Sequence, residues 1–435
     1  MNKFLFRRID NSALVAFRII FGLLITLEAW GAIVTGWVRK TLVEPIFTFN
    51  FIGLDFLQPL PGNGMYFYFA IMGCFGVLIM LGFKYRFSII AYTVMWTAVY
   101  LMQKTSYNNH YYLLILLLIF MSIVPAHRNF SIDAKQNPEL KSNSMPQWVK
   151  WFLIFQIWIV YTYAALAKIY PDWLDGTFPE ILMKGKSHYY LIGDILQQEW
   201  VHTSITYFGI LFDLLVVPLL LWKRTRVAMF WISVFFHLFN SIVFQIGIFP
   251  YMSLAFILFF FPTKFVNRKF LRFKPHYEGD EINVPKRHNL LKAFFIIWFS
   301  FQIFMPMRHH FIKGDVFWTE EGHRMSWRMM LRSKSGYSSF KIKNNTTGKV
   351  SYINMNDYLT AKQRRTLLKP DAIWQFTQRL KEEYEGEDIE IYARVKVSLN
   401  GRKSEYIVDP NMDLSKVEWH YFSHNPWILS GPRTN

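Results

Sequence analysis

Apolar runs separated by short clusters of Lys and Arg set the first limit on this chain. Read for stretches able to enter a hydrocarbon layer, it has about nine, at roughly 12–35, 65–83, 88–103, 111–125, 148–170, 203–222, 227–246, 248–262 and 290–306. With 52% hydrophobic and only 18% charged residues over 435 positions, these side chains cannot all hide in one water-soluble core. Several runs are short or interrupted, which suits helices buried inside a bundle. The formal charge of +18 would suggest nucleic acid if it were clustered on one face. Instead Lys84/Arg86, Arg128/Lys135/Lys141, Lys223/Arg224/Arg226 and the run Lys264 to Arg287 alternate with neutral or acidic loops. Loops retained on the cytoplasmic side carry such an excess. The pattern puts the N-terminus in the cytoplasm and everything after Met307 outside, and no nucleic-acid partner is expected. Lys3, Arg7 and Arg8 precede a first apolar run that contains Arg18 and Glu28. That run lacks a small-residue cleavage site, so it is expected to stay as a span. Cys74 is the single cysteine, which excludes a disulfide framework.

Past Met307 the apolar runs give way to charge and turn signals. Phe340–Lys343 and Lys349–Met355 flank Asn344-Asn345-Thr346-Thr347-Gly348, a hairpin pattern. Pro370-Asp371 opens a helix with Ile373, Trp374, Leu380 and Tyr384 on one face. Ile389 to Leu399 alternates apolar and polar, and Asn400-Gly401 turns it back on Arg402 to Val408. The expected fold is an α-helical polytopic membrane protein over 1–306, followed by a small α+β extracytoplasmic domain over 307–435.

Polar groups at membrane depth are the candidates for chemistry. Lys168 ends the apolar helix 148–170 among Ala164, Ala165 and Ala167. It is either an anchor reaching back to the headgroups or an amine kept dry enough to act as a base. Asn108-Asn109-His110 occupies the hairpin between the third and fourth runs, as a capped turn or as a site. Ser233, His237, Asn240 and Ser241 form a stripe on the seventh run, as interhelical hydrogen-bonding groups or as a ligand face. Gln245 to Tyr251 makes a sharp turn beside it. No HExxH, CxxC, phosphate-binding glycine loop or nucleophile elbow occurs, so no metal, nucleotide or acyl-transfer chemistry is expected.

Taken in order, these stretches resemble the vitamin K-dependent γ-glutamyl carboxylase family and the bacterial horizontally transferred transmembrane domain proteins. The resemblance is carried by Phe17-Arg18-Ile19-Ile20-Phe21-Gly22, Lys104-Thr105-Ser106-Tyr107-Asn108-Asn109-His110 and Ala164–Trp173. It continues through Phe236–Ser241, Phe244–Tyr251, Trp318-Thr319 and Ser326-Trp327-Arg328-Met329-Met330. It implies an enzyme that oxygenates vitamin K hydroquinone with O₂ to the epoxide and couples this to CO₂ addition on protein Glu. By the same resemblance Lys168 is the base toward the quinone, with Asn109 and His110 polarising it. His237, Asn240, Phe249 and Tyr251 would line the quinone pocket, and Trp327, His323, Arg332 and Lys334 would receive the Glu. Implied partners are a Glu-containing exported protein or peptide, membrane lipid and quinone, and a vitamin K reductase system. The animal enzymes have two adjacent Lys where this chain has Ala167-Lys168, and a long C-terminal region that this chain is expected to lack. A bacterial inner membrane is the expected location. Two alternatives stand beside this reading: a quinone epoxidase without carboxylation, and a non-catalytic protein that binds lipid or peptide.

Overall fold

The computed structural model describes residues 2–431; Met1 and residues 432–435, at the two ends of the expected domains, lie outside them. The chain runs up and down through α1 (Ser12–Val34), α2 (Gly64–Leu81), α3 (Tyr85–Met102), α4 (Asn109–Ile123) and α5 (Gln147–Ala167). It continues through α6 (Glu199–Leu221), α7 (Arg226–Val243), α8 (Phe249–Phe256) and α9 (His288–Met307). Every expected apolar run is helical. The count of nine crossings is not carried over, because among the described residues 6 helices are long and apolar enough to cross a membrane. Those are α1, α2, α5, α6, α7 and α9. The runs Asn109–Ile123 and Phe249–Phe259 are shorter, and α3 carries Arg86 and several hydroxyls.

Helices α1 and α2 lie against each other through small residues. A Cβ on Gly22 would fall 2.5 Å from the backbone nitrogen of Met80. One on Gly76 would fall 3.0 Å from Cα of Thr26. Close backbone approach of this kind replaces the hydrophobic drive that is missing between helices in lipid.

Alternating direction brings the N-terminal segment together with the basic loops. There Arg8–Asp10 pairs with Ser144–Pro146, and Lys274 meets Asp10 at 2.8 Å with both side chains fully buried. At the other end the loops 35–63, 103–108 and 168–198 meet the tail.

The tail holds a four-stranded antiparallel sheet in the order β2-β1-β3-β4, with β1 (Lys334–Asn344), β2 (Val350–Tyr352), β3 (Ile389–Leu399) and β4 (Glu405–Tyr406). Strands β1 and β3 pair along their whole length, with Ile342 opposite Ile391 and Phe340 opposite Ala393. The alternation in β3 puts Ile391, Ala393, Val395 and Val397 on the face covered by α10 (Pro370–Glu383). From that helix Ile373, Phe376 and Leu380 are fully buried, and Phe376 meets Phe340 edge to face with centroids 4.9 Å apart.

The start of α10 also holds the tail onto the bundle. Asp371 faces Lys104 and Arg324, each at 2.7 Å, and the Lys104 and Asp371 side chains are almost wholly buried. Gln363 donates to the Phe47 carbonyl at 2.7 Å, and Asn400 donates to Asp172 at 2.7 Å.

Candidate functional site

Lys168 is the C-cap of α5. Side chains on a helix lean toward its N-terminus, so a Lys at this end points back into the bundle unless it twists outward. It points back: Nζ donates to the carbonyl of Ala164, one turn earlier, at 3.2 Å. That direction is opposite to the one an anchoring Lys would need to reach headgroups, which removes the anchor alternative. Helix α6 makes room for it. Gly209 has no side chain, and a Cβ there would sit 3.7 Å from Lys168 Cε. One turn further along α6, Asp213 accepts a hydrogen bond from Nζ, and the two side chains are 12% and 7% exposed. Lys168 is therefore one half of a buried ion pair. Asp213 escaped the sequence reading although it signals itself, being the only charged residue within the run 203–222.

The pair opens into a cavity of about 1240 Å³. Its walls are mostly apolar and include Trp173, Phe208, Phe236, Phe239 and Phe249. Of the residues singled out from sequence, Lys168, Asn109, His110, Asn240, Phe249, His323 and Arg332 all line it. The Asn-Asn-His hairpin divides its labour. Asn108 caps α4 by accepting from the Tyr111 amide at 2.8 Å. Asn109 accepts from the Tyr107 hydroxyl at 2.9 Å and donates to the Arg328 carbonyl at 2.9 Å, tying the bundle to the tail. His110 has no side-chain hydrogen bond among the described residues and faces the cavity. Its Nε2 lies 3.4 Å from where a Cβ on Gly247 would be, so the hairpin and the Gln245–Tyr251 turn do come together.

The other choices need correction. His237 lies behind the wall, 1% exposed, and shares a hydrogen bond of 2.9 Å with the hydroxyl of Tyr161, which does line the cavity. Tyr251 points away from it to Ser241, hydroxyl to hydroxyl at 2.9 Å. Trp327 is 1% exposed and stacks on Tyr112 with centroids 5.0 Å apart. Lys334 is turned to Glu320 at 2.9 Å and to the Trp318 carbonyl at 2.6 Å.

The segment 320–332 forms the roof. Glu320, Met325, Trp327 and Met330 all have positive φ, between 51° and 63°, a conformation that costs non-glycine residues about 1 kcal/mol or more each. The hydrogen bond from the Met325 amide to Tyr107 at 2.6 Å and the Asn109–Arg328 tie hold it there. The segment delivers His323, Arg324, Arg328 and Arg332 to the cavity, and Lys369 joins them from the start of α10. Burial alone would raise the Glu320 carboxyl, but Arg332 and Lys334 outweigh it and hold the acid well below its usual range. Burial and then Arg332 push the His323 imidazole far below its ordinary 6.5, against the opposing pull of Glu320, with Lys369 and Arg324 adding to the depression. Burial is also the main reason that the Lys369 amine drops to about 8, with Glu320 opposing and Arg332 assisting.

These shifts set a pH dependence. Below about 6.5 the unfolded chain takes up a proton at residue 323 that the folded chain refuses, so stability present above that pH falls as acid is added. Glu320 acts in the same direction at lower pH, because it is protonated in the unfolded chain before it is in the folded one. The tail should lose stability as pH falls from 6.5 towards 5, with His323 contributing in that window. His323→Gln should flatten that part of the curve, and an unchanged slope would count against the buried neutral imidazole.

Among the described residues no group of three His, Cys, Asp or Glu could hold a metal ion. No solved structure matches the chain. A model described as the HTTM domain matches residues 6–265, and one described as the vitamin K-dependent gamma-carboxylase lumenal domain matches residues 287–434. The first spans more than half of the chain, and the second takes in α9 and the tail. A dry lysine–carboxylate pair, an aromatic cavity and a cationic roof contributed by a lumenal-type domain all lie within those two matches. The chain belongs to the vitamin K-dependent gamma-carboxylase family.

Proposed function

We propose that the protein oxygenates vitamin K hydroquinone with O₂ and couples this to γ-carboxylation of Glu side chains with CO₂. The observation that carries the reading is Lys168 turned inward onto Asp213, on the wall of a cavity that runs from aromatic rings to a cationic roof. The volume of about 1240 Å³ accommodates a naphthoquinone ring and a Glu side chain together. Tyr207, Phe208, Leu211 and Phe235 line the cavity and are also exposed on the outer sides of α6 and α7. An isoprenoid tail leaves there into lipid.

Once bound, reduced vitamin K supplies the oxygen-derived base strong enough to take a γ-proton, which no side chain can match. The protein's residues do the rest. Lys168 and Asp213 share a proton across their contact; with that proton on the carboxylate, the amine lone pair is free to take one from a bound phenolic hydroxyl. Asp213 thus positions the amine and holds the proton. His110, with no side-chain partner among the described residues, hydrogen-bonds the ligand, and Tyr161 does so with its hydroxyl oriented by His237. The aromatic walls keep water from the reactive species. The cations of the roof receive the Glu carboxylate.

Purified protein in detergent, given reduced vitamin K, labelled bicarbonate and a Glu-rich peptide, tests this. Label in the peptide together with epoxide is expected. Epoxide alone would leave a quinone epoxidase, and neither product would leave a binding protein.

We further propose that the tail is extracytoplasmic and that a bacterial inner membrane houses the chain. Thr346→Cys, on the exposed β1–β2 turn, in a Cys74→Ala background, should react with an impermeant thiol reagent on intact cells. Reaction only after lysis would reverse the orientation.

A further inference from the structure

The sheet of the tail has a second face. Side chains alternate along a strand, so the residues between the buried ones of β1 and β3 point away from α10. Pairing aligns them in rows across the strands. Tyr352, Lys341 and Tyr392 make one row over β2, β1 and β3. Ser339 and Arg394 make the next. Tyr337, Lys396 and Tyr406 make a third over β1, β3 and β4. Lys341 Nζ lies over the Tyr392 ring at 4.7 Å, and Lys396 Nζ over the Tyr406 ring at 4.8 Å.

The charge on this face is one-sided. The row beyond Lys341 holds one acid, Glu390, which Lys343 takes at 3.0 Å and the Tyr392 hydroxyl at 2.7 Å. Lys341, Arg394 and Lys396 have no carboxylate within ion-pair distance among the described residues. Arg394 and Lys396 stand two residues apart on β3, about 6.8 Å along the strand, and Lys341 is diagonal to Arg394. Three cations at these spacings gain nothing from one another. The face is open to solvent, with Tyr352 75% and Tyr337 54% exposed. It also turns away from the bundle, because α10 on the opposite side of the sheet is what meets the bundle loops. Asp371 faces Lys104 at 2.7 Å, and Gln375 donates to Asn50 at 2.8 Å.

We propose that this face docks an extended acidic stretch of polypeptide. Its carboxylates meet Lys341, Arg394 and Lys396, and its backbone and methylene groups lie against the tyrosines. An extended chain presents every second side chain to one side, which is the spacing of the rows. Glu or Asp at alternate positions therefore reaches successive rows without any change of conformation. A lipid surface has no such repeat. None of these residues lines the cavity, so the docking goes beyond the chemistry proposed there and does not depend on it.

The test is titration of the full-length protein in detergent with a labelled peptide that has Glu at alternate positions. The same peptide with Gln and a sulfated glycan, heparin, are the comparisons. The Glu peptide should bind, more weakly as salt is added, and the Gln peptide should bind about tenfold less well or worse. Arg394→Gln with Lys396→Gln should weaken the Glu peptide by about tenfold at an unchanged melting temperature. Tyr352→Ser with Tyr406→Ser should weaken the peptide but not heparin. If the double charge variant proves unstable, Lys341→Gln alone should still weaken the peptide by about threefold. No binding by the parent, equal binding of the Gln peptide, or unchanged affinity in folded charge variants would overturn the proposal. So would equal loss of peptide and heparin from the tyrosine variant, or no loss of either, since the face would then attract any polyanion.

Discussion

Lys168→Met should destabilise the protein by about 3–5 kcal/mol, and adding Asp213→Leu should return most of the loss. The single change leaves the Asp213 carboxylate 7% exposed with no cation beside it, and a buried lone charge is among the largest penalties available to a point mutation. The double change removes both charges and fills the space with hydrocarbon, which in a dry site is neutral or better. Melting in detergent measures this. A lysine that merely anchored the helix end would show the reverse pattern, with little cost from the single change and an added cost from the second. The double variant also separates chemistry from folding, since it is expected to be stable and inert.

Asp371→Asn should cost a similar amount, about 3–5 kcal/mol, but at the join between tail and bundle. The carboxylate faces both Lys104 and Arg324, so its neutralisation leaves two buried cations against each other. Burial by itself would raise the Asp371 carboxyl, but Arg324 and Lys104 draw it well below the usual carboxylate range. The ion-pair stability is thus complete above the ordinary carboxylate pKa and is lost as pH falls through the depressed one. The sheet and α10 have a core of their own in Phe340, Ile373, Phe376, Ile391 and Val395, so the tail should stay folded while it comes loose. Limited proteolysis should then cut the roof segment 320–332, which in the parent is held between bundle and tail. Unaltered resistance in that segment would mean that the contacts at Phe47 and Asp172 suffice without the ion cluster.

Much of this could be read before any coordinates, and what could not has a common cause. Each apolar run became a helix because hydrophobic length is a local property. The alternation Ile389 to Leu399 likewise gave a strand whose inward face was correct residue by residue. Lys168 and the Asn-Asn-His hairpin stood out because charge and amides at membrane depth are costly. Contacts between helices are another matter. Nothing in the run 203–222 tells which turn of α6 faces Lys168, so Asp213 went unpaired in the sequence reading. The stripe on α7 gave the right face but not the depth, and His237 sits one layer behind Tyr161. In the roof, left-handed residues at Met325, Trp327 and Met330 break any periodicity. Trp327 and Lys334 therefore turn inward to the protein, while Arg328 and Arg332 reach the cavity.

Vitamin K epoxide formation by the Lys168→Met/Asp213→Leu protein bears most directly on the role of the lysine–carboxylate pair, once its melting point has shown it folded. Epoxide should fall by about a hundredfold or more, to background, if that pair is what takes the quinone's proton. Epoxide made at the parent's rate would contradict it.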